Sequence, residues 1–118
     1  LKLSASFKLS LDQIFFSNST KLQKLFLKKM NLTSEILTKC FKFDLFKELV
    51  FLDLSQNQID FLPKNVFLNN RLLVNVNLNS NRLKLLNFDE FNYYSTIKFD
   101  FGFNSITNFY AYSSNDRR

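Results

Sequence analysis

A chain of 118 residues is one domain or a piece of one, and its apolar fraction of 46% suffices for a packed core. It holds no His, one Cys, one Gly and one Pro, which excludes an imidazole base, a Cys–His nucleophile, a glycine-rich phosphate loop and an internal disulfide framework within this chain, and argues against many tight hairpins. The formal charge of +6 is uneven, with nine lysines against four carboxylates in residues 1–48 and seven basic against six acidic groups in residues 49–118; such a basic part reads first as a solvated surface and, as the alternative, as a site for anionic partners.

In chain order, Leu1 and Leu3 stand two apart, with Ser6 three residues later and Phe16 ten beyond that. Leu25, Leu27 and Met30 repeat this spacing at a step of 24, led by Leu22 and followed by Leu32. Ser34 to Glu48 is the longest helix-compatible piece. Leu49, Leu52, Leu54, Asn57 and Ile59 come next, with Asn57 at a longer step of 27 from Met30, and lead to Leu62, Pro63 and Phe67. Leu73, Val76, Leu78, Asn81 and Leu83 follow at a step of 24, then Leu86 and Phe91. Phe99, Phe101, Asn104 and Ile106 close the series at a step of 23, with Phe109 in the place of Leu62 and Leu86. Apolar residues two apart have strand period, so Leu52 and Leu54 point to one face while Asp53 and Ser55 point to the other. One such unit cannot bury its apolar edge alone, whereas stacked copies bury a continuous core.

The pattern LxxLxLxxNxL at this step resembles the leucine-rich repeat family. The Leu62–Pro63 pair and the recurring Phe16, Phe43, Phe67 and Phe91 resemble the phenylalanine spine of its typical, Toll-like extracellular class. The resemblance covers the whole chain in about five units, at 1–21, 22–48, 49–72, 73–95 and 96–118. It implies an α/β fold: a curved solenoid with parallel strands on the concave side and an irregular, 3-10 or short helical convex side. It also implies a buried ladder of Asn57, Asn81 and Asn104 bonded to backbone in the turns, where an unpartnered buried amide costs about 1–3 kcal/mol. Met30 cannot supply such bonds, so its turn is expected to be looser, with its backbone served by water or neighbouring side chains. The chain begins inside a strand pattern and ends in YAYSSNDRR without a cap, so it is expected to be a segment of a longer array. The cysteine-rich caps of extracellular members are absent from it.

No apolar run approaches the ~20 residues that span a membrane, and the opening LKLSASFKLSLDQIFF lacks a secretory apolar region. Cys40 reads as a small buried hydrophobe, with a reactive or capping thiol as the alternative. Asp53 and Asp100 share a strand column two units apart, about 10 Å, a separation that a glycosidase pair could use. Charged outward positions are ordinary on such a sheet, so the chain is read as non-enzymatic, with no cofactor or metal. Asn18-Ser19-Thr20 and Asn31-Leu32-Thr33 match the glycosylation acceptor, but 15 Asn and 17 Ser or Thr in 118 residues predict two such matches by chance.

The register places Lys2, Phe26, Asp53, Asn77 and Asp100 in one outward column and Ser4, Lys28, Ser55, Asn79 and Gly102 in the next. Lys24, Phe51, Asn75 and Lys98 flank them on one side, and Lys29, Gln56, Ser80 and Phe103 on the other. Phe26, Phe51 and Phe103 are expected to be exposed, and Leu25, Leu52 and Phe101 buried. Gly102 marks a partner's close approach or a strand irregularity. Truncating outward Asn77 should cost under about 0.5 kcal/mol. Aromatics anchor interfaces, so the expected function is recognition of a protein ligand through Phe26, Lys28, Phe51, Asp53, Ser55, Asn75, Asn77, Asn79, Lys98, Asp100 and Phe103. The resemblance implies an extracellular protein or receptor ectodomain in innate immunity or adhesion; a cytoplasmic setting stays open. The alternatives are an anion binder, for nucleic acid or acidic glycan, using Lys2, Lys24, Lys28 and Lys29, and a structural spacer.

Overall fold

Alternation along three-residue strands builds the structure. The computed structural model describes residues 21–40, 46–87 and 97–110. Within them run β1 (Lys24–Phe26), α1 (Ser34–Cys40), β2 (Phe51–Asp53), β3 (Asn75–Asn77), β4 (Leu85–Asn87), β5 (Lys98–Asp100) and β6 (Asn108–Tyr110). Strands β1, β2, β3 and β5 form one parallel sheet in that order, with Leu25, Leu52, Val76 and Phe99 side by side at its centre. The register is the one the spacing predicts. Leu25, Leu52 and Val76 are buried, and with Leu27, Leu54 and Leu78 they form the floor of the core.

The rest of the core arrives from the turns. Ile59, Leu83, Phe46 and Phe67 are buried in it, and Leu37 of α1 joins them. Of the four recurring phenylalanines, Phe67 is buried; Phe16, Phe43 and Phe91 lie outside the described residues. Phe46 and Asn70 hold equivalent places before β2 and β3. The carbonyl of each accepts from the N–H three residues on, and the Asn70 amide donates to the Phe46 carbonyl at 3.1 Å.

The structure departs from the sequence reading in three places. First, the described helix is Ser34–Cys40 and residues 47–48 form a turn, so the helix-compatible piece is not helical as far as Glu48. Thr33 caps its start by accepting from the Ile36 N–H at 3.2 Å. Second, β4 and β6 pair in parallel as a separate two-stranded sheet, where irregular structure was predicted. Pro63 occupies the place of Asn87 one unit earlier. A proline lacks the N–H that a ladder uses, and no strand forms at 61–63. Third, Phe101 and Asn104 are half-buried rather than buried. They follow β5, which is covered on one side only among the described residues. Phe101 compensates by stacking on Phe99, with centroids 5.4 Å apart and planes 7° apart.

Candidate interaction face

The turn after each strand is built by two devices. The first is the asparagine ladder. The Asn57 amide donates to its own Leu54 and Ser55 carbonyls and across to Leu27 at 2.9 Å. Asn81 does the same for Leu78 and, across, Leu54; Asn104 does so for Phe101, Gly102 and, across, Leu78. Each Oδ1 accepts from the preceding unit: Asn81 from Ile59 N–H at 3.0 Å, Asn104 from Leu83 N–H at 2.9 Å. Asn57 accepts from both Met30 and Leu32 N–H, at 2.9 and 3.0 Å. Every rung therefore ties two units together.

The second device is the outward column itself. Asp53, Asn77 and Asp100 each accept from the backbone N–H two residues on, at 2.9, 2.9 and 2.8 Å. These side chains close Asx turns. This corrects the expectation for Asn77: it is half-buried and has a structural task, so its truncation should cost more than a free surface residue would. The same bonds commit Asp53 and Asp100 to turn closure, with β3 lying between them.

The position after the second outward column adopts left-handed backbone in every described unit: Lys29, Gln56, Ser80 and Phe103 have φ of 56°, 57°, 60° and 51°. Nothing in these four dissimilar side chains signals it; the common feature is the place directly before Met30 or the ladder asparagine. Ser55, expected on the exposed face, is 5% exposed because it sits inside its turn. Gly102 has no positive φ. Its lack of a side chain serves Asn79, whose Nδ2 would stand 2.6 Å from an added Cβ.

What faces outward is therefore a reduced set. Lys28, Asn75, Lys98 and Asp100 are exposed, and Asn77, Asn79 and Asp53 are half-exposed. Phe103 is 84% exposed. Phe26 and Phe51 are half-buried rather than fully exposed, because their rings pack diagonally across β1 and β2 with centroids 5.3 Å apart. Beside Phe51 lies a shallow depression of about 240 Å³ bordered by Asn75, Asn77, Lys98 and Asp100.

Sequence reasoning missed a second polar site. The buried Ser34 hydroxyl accepts from Asp60 and Phe61 N–H at 3.1 and 2.9 Å, and its one proton has the Phe61 carbonyl and Asp60 Oδ1 as alternative acceptors at 2.6 and 2.8 Å. It borders a hollow of about 430 Å³ with Glu35, Gln58, Arg82 and Lys84 on its rim. Here basic and acidic groups are mixed. Asn31 is exposed with φ of 56°, while its sequon partner Thr33 caps α1. Asn18, Lys2 and Ser4 lie outside the described residues, as does the side chain of Cys40.

Among the described residues, no cluster of three His, Cys, Asp or Glu could hold a metal ion, and no helix is long and apolar enough to cross a membrane. No protein-family model matches the chain, and no curated protein matches it.

Proposed function

We propose that this chain is a leucine-rich repeat solenoid segment of the typical, 24-residue class, and that it recognises a protein ligand with its concave sheet face. The inter-unit asparagine ladder on equally registered parallel strands supports the architecture. One observation carries the function: an aromatic pair, Phe26–Phe51, stands on the outward side of the sheet beside a depression, where a merely solvated face would carry polar groups. The work done in this reading is recognition by shape and charge, without catalysis, which the turn-closing bonds of the two candidate carboxylates support. The family resemblance favours an extracellular or receptor-ectodomain setting.

Screening the chain against secreted and cell-surface proteins tests this reading. A partner of the concave face should weaken at least about 30-fold with Phe51→Ala, the loss of about 2 kcal/mol typical of an anchor. It should tolerate Arg71→Ala, in the exposed turn before β3. A partner lost with Arg71→Ala and indifferent to Phe51→Ala would move recognition off the sheet.

A further inference from the structure

Resting on the concave-face reading, we infer that the partner element is an acidic extended peptide segment with a large apolar side chain about three residues from its carboxylates. The face has a polarity that selects this chemistry. At one end, β1 and its turn present Lys24, Lys28 and Lys29, all exposed, and the stretch from 24 to 29 contains no carboxylate. Next to this basic pole stands the Phe26–Phe51 pair, partly open to solvent. Then comes the depression of about 240 Å³. A cavity of about 150 Å³ accepts benzene, so a phenyl or leucyl group has room there, against the Phe51 ring. Within its rim, Asn75 and Asn77 offer neutral amides that suit a peptide backbone, and Lys98 and Asp100 of β5 close its far side.

The spacing converts this into a motif. The depression centres about two strand intervals from β1, roughly 10 Å at about 4.8 Å each. An extended peptide rises about 3.3 Å per residue, which places its apolar side chain about three residues from the group over the lysines. A nucleic acid fits less well. A phosphate backbone following the sheet from the lysines would meet the Asp53 and Asp100 carboxylates, while a peptide changes chemistry along its length as the face does.

Selection of a phage-displayed random peptide library on the full 118-residue chain, followed by titration of the enriched peptides, tests the inference. The expected winners carry Asp or Glu with an aromatic or leucine two to four residues away. Their affinity should fall at least tenfold with Lys24→Gln/Lys28→Gln, at least tenfold with Phe51→Ala, and with rising salt. Unfolding midpoints of the variants confirm that they fold, and the exposed lysine pair supplies a readout if Phe51→Ala does not. Winners that need Phe51 but lack acids and ignore the lysine changes would overturn the acidic partner while leaving the concave face standing. Winners that bind all variants alike would overturn both. No enrichment, or a single-stranded RNA oligonucleotide that binds the same lysines more tightly than any peptide, would overturn the peptide assignment.

Discussion

The turn at Met30 and the turn at Asn57 follow equivalent strands, yet one has a ladder asparagine and the other does not. The sequence predicts a looser turn at Met30, with its backbone groups met by water or by neighbouring side chains, and the second holds. In the structure its N–H and that of Leu32 are both held by Asn57 from the next unit, and Ser34 ties the following segment to Asp60 and Phe61. The Met30 turn also takes two left-handed residues, Lys29 and Asn31, where the Asn57, Asn81 and Asn104 turns take one each. That extra backbone reversal accompanies the longer step between β1 and β2, where Leu25 pairs with Leu52. A turn can thus lose its own polar side chain when its neighbour reaches across, and the thioether fills core space instead.

The largest expected effect is shared by both units and sets the scale. Leu25→Ala and Leu52→Ala, each removing a fully buried side chain, should cost about 2–5 kcal/mol alike in denaturant unfolding. A tolerated Leu52→Ala would contradict the register itself. The ladder should then separate the units. Asn57→Ala strands two N–H donors of the Met30 turn where Asn81→Ala strands one, and should cost about 3 kcal/mol, the upper end of the range of about 1–3 within which Asn81→Ala should fall lower. Equal unfolding midpoints for these two would show that Met30 does not depend on its neighbour.

Smaller effects sharpen the picture. Ser34→Ala should cost about 1–3 kcal/mol, because it leaves the Asp60 and Phe61 N–H groups without their buried acceptor. Asn77→Ala should cost about 1 kcal/mol through loss of its Asx turn, and Asn77→Asp should restore most of it, as Asp53 and Asp100 do natively. At the small end, Phe103→Asn should raise stability by about 0.5–1 kcal/mol, since asparagine accepts left-handed backbone more readily than a bulky aromatic. A lowered midpoint there would mean that the exposed ring makes contacts that outweigh its backbone strain.

Strand positions, the sheet register and the buried rungs at Asn57 and Asn81 were legible in the chain, because strand alternation and the regular step from one unit to the next are local and repetitive. The candidate face was legible as columns but not as a surface. Register says which way a side chain starts out; it does not say that Asp53 bends back to its own turn, that Ser55 is enclosed, or that Phe26 and Phe51 pack on each other.

The alternating leucines by themselves determined the order and direction of β1, β2, β3 and β5, since only one stacking buries every apolar edge at once. Three features were decided only when the units met. Asn57 serves Met30 because the two turns stand one above the other, although they are far apart in the chain. Asn79 excludes a side chain at Gly102 because its amide leans across the next strand. β4 pairs with β6, whereas no strand forms around Pro63, one unit earlier, which has no N–H to donate. Each is a contact between residues of different units, and a pattern that repeats within one unit carries no record of what its neighbour will supply.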